Sequence, residues 1–334
     1  MKKITALLLA LFMLVGALAG CGKQNDTNQT DKLSIVTTIF PEYDWVREIL
    51  GDKADNAEIT MLLDNGVDLH SYQPTADDIV KISDCDLFIY VGGESDGWVE
   101  DALRNAANRN MKVINLLEIL GDSVKTEEIV EGMQEAEHEH EDAEEHEDAE
   151  EHEHEEEADE HVWLSLKNAK MLVRVISKAL QELDPDNKDI YAANADAYVK
   201  KLSALDAEYQ AAVDAASNKT ILFGDRFPFR YLVDDYGLRY YAAFVGCSAE
   251  TEAGFETISF LAKRVDELKL PCVLTIEGAQ HKIAETIVRN TTAKNQRVLT
   301  MDSMQSTTSK DVKNGTTYLS VMEKNLSVLK EALR

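Results

Sequence analysis

What this chain lacks narrows its function before its motifs are considered. Beyond Cys21 only Cys85, Cys247 and Cys272 remain, with no CxxC or other close pair. That spacing argues against a cysteine-clamped zinc module, and outside the cytoplasm an odd count leaves at least one thiol unpaired. All three are expected to be small buried residues rather than zinc ligands. Basic residues are scarce, 34 Lys and Arg against 62 Asp and Glu, and no basic patch could neutralise phosphates, so nucleic acid is excluded as a partner. There is no H-E-x-x-H and no G-x-S-x-G, so neither a metallohydrolase nor a serine hydrolase is visible and no enzyme is expected. The chain shows no internal repeat.

One segment lacks both apolar and basic residues. Between Glu135 and His161 stand 17 carboxylates and six histidines with no Lys or Arg, and more than half of the formal charge of −28 lies there. With almost nothing apolar to bury, the cost of ordering such a backbone is not offset, and residues 134–160 are expected to form a disordered loop. His138, His140, His146, His152 and His154 set it apart from a plain acidic linker. Imidazoles and carboxylates together bind Zn²⁺ and similar cations.

The one long apolar run is at the start. MKKITALLLALFMLVGALAG has two lysines, an apolar stretch to Leu18 and small residues up to Cys21. It reads as a signal peptide over residues 1–20, too short for a persistent membrane span. Leu18-Ala19-Gly20-Cys21 resembles the lipobox of bacterial lipoproteins. The resemblance implies cleavage before Cys21, a lipid on its sulfur, a polar tether over 21–31 and a position outside the cytoplasm on the cell membrane.

The remainder alternates strand and helix. LSIVTTIF ends in Pro41, and further strands are expected at 57–62, 87–91 and 111–116, with helices between them. This predicts an N-terminal α/β lobe over 32–184 with a mainly parallel sheet. Asp184-Pro185 then opens some thirty residues without Gly or Pro, read as a rigid linking helix over 185–217. Strands at 220–223, 240–244 and 272–277 predict a second α/β lobe over 218–334. His70, His161, Asp225 and His281 all fall at loops near strand ends, where α/β sheets bind ligands.

From Leu33 to Arg334 the chain resembles the metal-binding solute receptors of ABC importers, the zinc and manganese group. The likeness is carried by DLHSYQPTADDI, EHVWLSLKNAKML, DPDNKDIYAANADAYVKKLSALDAEY and TTYLSVMEKNLSVLKEAL. It implies two α/β lobes joined by one long helix, with a metal site between them fed by one ligand from each of four segments. His70 matches the first ligand and His161 the second. Arg226 occupies the third slot, which holds His in zinc members and Glu in manganese members, so the role is expected to pass to Asp225. His281 matches the fourth slot, with Glu277 as the partner that orients a ligating His. Arg226 is expected to pair with Asp225 or Glu277 when metal is absent.

Three imidazoles and one oxygen favour Zn²⁺ over Mn²⁺. The implied function is a monomeric zinc receptor that delivers its ion to a membrane permease and its ATPase. The His-rich loop would gather cations near the cleft. The alternatives are a manganese receptor, a surface adhesin and an extracellular zinc buffer.

Overall fold

Strand and helix alternate from the first described residues of the computed structural model, which describes residues 32–134, 157–248, 252–278 and 281–334. The signal peptide, Cys21, its tether and the five loop histidines lie outside them. The first half comprises β1 (Leu33–Thr37), α1 (Phe40–Leu50), β2 (Ala57–Met61), α2 (Ala76–Asp84), β3 (Leu87–Tyr90), α3 (Val99–Arg104), β4 (Lys112–Asn115) and α4 (Leu116–Leu120). Its strands form one parallel sheet in the order β2-β1-β3-β4. Pro41 sits in the first turn of α1, where its missing N–H costs nothing, and Gly51 ends that helix at φ +55°. Thr75 and Asp78 cap α2 reciprocally.

Two helices follow, α5 (Leu166–Leu183) and α6 (Lys188–Ala215). With 28 residues, α6 extends about 42 Å at ~1.5 Å per residue. Its buried side chains Tyr191, Ala195, Tyr198, Leu202, Leu205, Tyr209 and Val213 recur every three or four residues, so one face packs along the body.

The second half comprises β5 (Thr220–Leu222), β6 (Arg226–Phe227), α7 (Arg230–Tyr236), β7 (Arg239–Tyr241), β8 (Phe244–Val245), α8 (Phe255–Leu268), β9 (Cys272–Thr275), α9 (Lys282–Asn290), β10 (Arg297–Thr300), α10 (Ser309–Lys313) and α11 (Tyr318–Ala332). β5 pairs with β7 and β9 with β10, all parallel. The Phe223–Leu274 bridge and the Gly224 N–H bond to Leu274 O (2.8 Å) join the two pairs. The resulting order, β7-β5-β9-β10, is second, first, third, fourth, as in the first half. Two sheets of one topology thus arise without a visible sequence repeat.

Residues 33–334 form one compact unit. One apolar cluster joins the halves, with Ile35 and Phe88 of the first sheet and Ile221 and Phe223 of the second in it, and a smaller one around Leu222, Leu261 and Val273 lies in the second half. Across the middle, Trp163 Nε1 donates to Ser303 O (2.8 Å) and Tyr318 O–H donates to Trp163 O (2.6 Å). No helix among the described residues is long and apolar enough to cross a membrane. What this frame does for function is bring the carboxyl ends of both sheets' strands, and the loops after them, together.

Candidate metal centre

The loop after β2 carries His70 on a single helical turn, Leu69–Ser71, capped by Asp68, whose carboxylate accepts the His70 N–H (3.1 Å). His70 Nδ1 lies 2.8 Å from Ser95 Oγ and 3.4 Å from Glu160 Oε2. Glu160 is itself fixed by the Ser95 N–H (2.9 Å). Gly93 makes room for it: at φ +83° it disfavours any side chain, and a Cβ there would clash with the Glu160 carboxylate.

His161 is fully buried. Asp159 Oδ1 accepts both its N–H (2.8 Å) and its Nδ1–H (2.9 Å), assigning that proton to Nδ1. Burial opposes protonation of His161, but the Asp159 carboxylate outweighs it, aided by Glu160 and Glu127, and holds its pKa above the ordinary histidine value. For Glu160, burial pushes the pKa up, yet the bonds from His70 and Ser95 win and leave it below the usual carboxylate range. Both rings turn Nε2 toward each other; His161 has the Asp159 carboxylate at Nδ1, and His70 has the Ser95 hydroxyl there with the Glu160 carboxylate 3.4 Å away, an arrangement by which outer partners orient ligating histidines.

The two Nε2 atoms are 3.2 Å apart. Two lone pairs at that distance need a proton or a cation between them. In a tetrahedral zinc site, two Zn–N bonds of ~2.0–2.1 Å put the nitrogens roughly 3.3 Å apart. The gap between His70 and His161 matches.

The third group at this point is not one the sequence indicated. Cys247 Sγ joins one ring nitrogen of each histidine, all three atoms lying within 4.8 Å of one another. Burial, then the charges of Glu127, Asp159 and Glu160, push its pKa well above the ordinary thiol value. A bound dication reverses that balance and deprotonates a coordinating thiol.

Asp225 and His281 do not belong to this group. Asp225 Oδ2 accepts from Thr275 Oγ1 (2.5 Å) and the Ile276 N–H (3.3 Å), and its Oδ1 accepts the Arg226 N–H (2.9 Å). The carboxylate is thus used to clasp β5 to the end of β9. His281, at φ +51°, places Nδ1 3.2 Å from Thr275 Oγ1. Both line a cavity of about 740 Å³ with Asp68, Arg226, Glu277 and Gly278.

Two further expectations are corrected. The Arg226 guanidinium turns to neither Asp225 nor Glu277 but crosses to Asp68 Oδ2 (2.6 Å) and also donates to Ser248 O (3.2 Å). Burial raises the Asp68 pKa, but Arg226 more than compensates and leaves it lowered. Glu277 does not orient a histidine either. It accepts from the Ser303 N–H (2.6 Å), Ser303 Oγ (2.7 Å) and the Gln305 N–H (3.1 Å), fixing the loop after β10.

The expected loop also ends earlier than its composition indicated, since residues 157–160 belong to the folded body. Thr126 pairs with Ala158, and Asp159 and Glu160 are buried against the histidines. Their position one and two residues before His161 was the available signal, hidden by the run of acids preceding them.

Comparison with known proteins identifies the family. The model of the family described as "ZnuA: Zinc-uptake complex component A periplasmic" matches residues 35–332. The chain belongs to that family. It is 33% identical over 331 residues to the "Zinc-binding lipoprotein AdcA" of Streptococcus pneumoniae serotype 4, covering 99% of this chain and 61% of that protein. The chain thus spans less than two thirds of that relative's length. The "High-affinity zinc uptake system protein ZnuA" of Bacillus subtilis is 31% identical over 328 residues, with 97% and 95% covered. Among solved structures, the Zn(II)-bound ZnuA-like domain of S. pneumoniae AdcA superposes with a TM-score of 0.69 at 29% identity, covering 90% of this chain and 99% of the domain.

Proposed function

We propose that this protein is an extracytoplasmic zinc receptor, which takes one Zn²⁺ between its two halves and passes it to an ABC permease driven by a cytoplasmic ATPase. The observation that carries the reading is the 3.2 Å approach of His70 Nε2 to His161 Nε2, with Asp159 behind one ring and Ser95 and Glu160 behind the other. Preoriented nitrogen donors at zinc spacing select a borderline cation over the harder Mn²⁺. Zinc is cargo here, so the protein's own work is to dehydrate, hold and release it, and no side chain need do chemistry on a substrate. Membership in a zinc-uptake family and the zinc-bound neighbour support the choice of ion.

In the same reading, a lipid on Cys21 holds the receptor at the outer face of the membrane, the histidines of the acidic loop raise the local zinc concentration, and the receptor acts as a monomer. Calorimetric titration of the metal-free protein tests the central claim. Wild type should bind a first zinc ion tightly and manganese weakly, and His70→Ala should remove that first event. Equal affinity for the two ions, or an unchanged first event in His70→Ala, would defeat the reading.

A further inference from the structure

We infer that the Cys247 thiolate is the third protein ligand of the zinc site, replacing the donor that the slot of Arg226 no longer provides. The inference rests on the zinc-receptor reading and identifies how the second half reaches the ion.

The three cysteines differ in their surroundings. Cys85 Sγ is buried against Ile82 O (3.3 Å) and Met111 Sδ (3.4 Å), and Cys272 is buried in β9. Both fit the expectation of small core residues. Cys247 is only partly buried, and its Sγ lies within 4.8 Å of a ring nitrogen of both His70 and His161.

The loop that carries it is built for this approach. β8 pairs with β6 in the register Arg226–Phe244 and Phe227–Val245, so the chain leaves β8 at Gly246, directly over His161. A Cβ at Gly246 would sit 2.9 Å from His161 Cε1 and 3.0 Å from Phe227 O, leaving room for glycine alone. The next residue is then fixed from both sides. The Cys247 N–H donates to Glu127 Oε1 (2.8 Å), and the Arg226 guanidinium holds the following carbonyl, Ser248 O, while its other arm grips Asp68 beneath His70. Arg226 therefore ties the His70 turn to the Cys247 loop.

On binding, the Cys247 S–H bond breaks, a Zn–S bond forms and the proton leaves to water. Two nitrogens and one sulfur leave one position of a tetrahedral ion for water or a further donor.

Cobalt(II) tests this directly, because thiolate coordination gives a charge-transfer absorption in the near ultraviolet that nitrogen and oxygen ligands do not. The histidine-rich loop contains no cysteine and cannot produce it. One equivalent of Co²⁺ added to the metal-free full-length protein should give the band. Cys247→Ser should lose it, keep the visible bands of a histidine-bound ion, and weaken zinc binding by more than the roughly 10–100-fold typical of outer partners.

X-ray absorption of the wild-type zinc complex should show one sulfur at about 2.3 Å, a result that does not depend on the variant folding. A tightly bound ion that needs His70 and His161 but shows neither band nor sulfur scatterer overturns the Cys247 assignment and leaves the zinc reading standing. An ion whose binding ignores His70 and His161 overturns both.

Discussion

The two halves share a sheet topology but treat acidic groups in opposite ways. Glu42, Asp44, Asp96, Asp159 and Glu160, the buried acids among the described residues, all lie before α5, whereas the buried polar residues after α6 are hydroxyls and amides. Two of the acids, Asp159 and Glu160, stand directly behind the histidines. The second half faces the cleft with groups already bonded to one another, Asp225 to Thr275 and Glu277 to Ser303, around an open cavity. On the proposed reading, one wall keeps a fixed pair of imidazoles while the opposite wall is free to change its chemistry, and Arg226, bonded across to Asp68, stands on that second wall.

The largest effect should separate the two walls directly. His161→Ala removes a buried donor and leaves Asp159 without its partner, so zinc affinity should fall by well over about a hundredfold, beyond what outer partners are worth. His281→Ala, outside the His70–His161–Cys247 group, should change it severalfold at most. Competition against a chelator of known affinity measures both, and equal losses would erase the distinction.

Next in size is the outer carboxylate. Asp159→Asn can still accept from the backbone of His161 but no longer offers its Nδ1–H a charge, so zinc binding should weaken by roughly 10–100-fold with the fold retained. Asp225→Asn is the matching change on the other wall. It should lower the unfolding temperature more than the affinity, since that carboxylate clasps strands. Titration and thermal unfolding of the pair would reverse this assignment if Asp225→Asn proved the more damaging to binding.

Why the first wall was legible in sequence and the second only partly so follows from what each signal depends on. His70 and His161 stand in segments whose neighbours also specify the local fold, DLHSYQPTADD with its Thr75 cap and HVWLSLKN with its Ser165 cap. Helix α6 fell close to the expected 185–217 because a long run with buried side chains every three or four residues carries its own period. β10 was missed because RVLT is an edge strand with few apolar residues. Cys247 was assigned to the core because its approach to the two histidines depends on the β6–β8 register, a non-local pairing that no motif announces.

The buried acids also make a prediction about stability. Burial, more than the neighbouring charge of Glu48, raises the Asp44 pKa from 3.8 to about 7, although the Tyr318 N–H bond works against it. An acid with a raised folded-state pKa binds more protons folded than unfolded between the two values. Its stabilising contribution is therefore full below about pH 4 and is lost as pH rises through 7. Asp44→Asn keeps an acceptor for Tyr318 and should flatten that decline, with the variant gaining on wild type by about 3 kcal/mol across the window, at about 1.4 kcal/mol per pH unit. Denaturant unfolding at pH 4.5 and 7.5 checks it, and a variant that loses ground as pH rises would show Asp44 to be charged and satisfied in the folded state.

The smallest effect on affinity should come from the largest deletion. Replacing residues 135–156 with a short Gly/Ser linker removes five of the eight histidines but none of the groups around the His70–His161 pair. The flanks are independently anchored, Gln134 by its N–H to Ala243 O (2.9 Å) and Glu157 by its carbonyl to the Glu127 N–H (2.9 Å). The first zinc ion should therefore bind with an affinity within about threefold of wild type, the ordinary scatter for sites that share no partners. What should fall is the number of weakly held ions and, with the local cation concentration, the rate of capture at low zinc. Stopped-flow association and equilibrium dialysis distinguish these outcomes. A first-ion affinity that drops as far as it does in His161→Ala would make the loop a standing ligand of the site, and the first wall would no longer be complete without it.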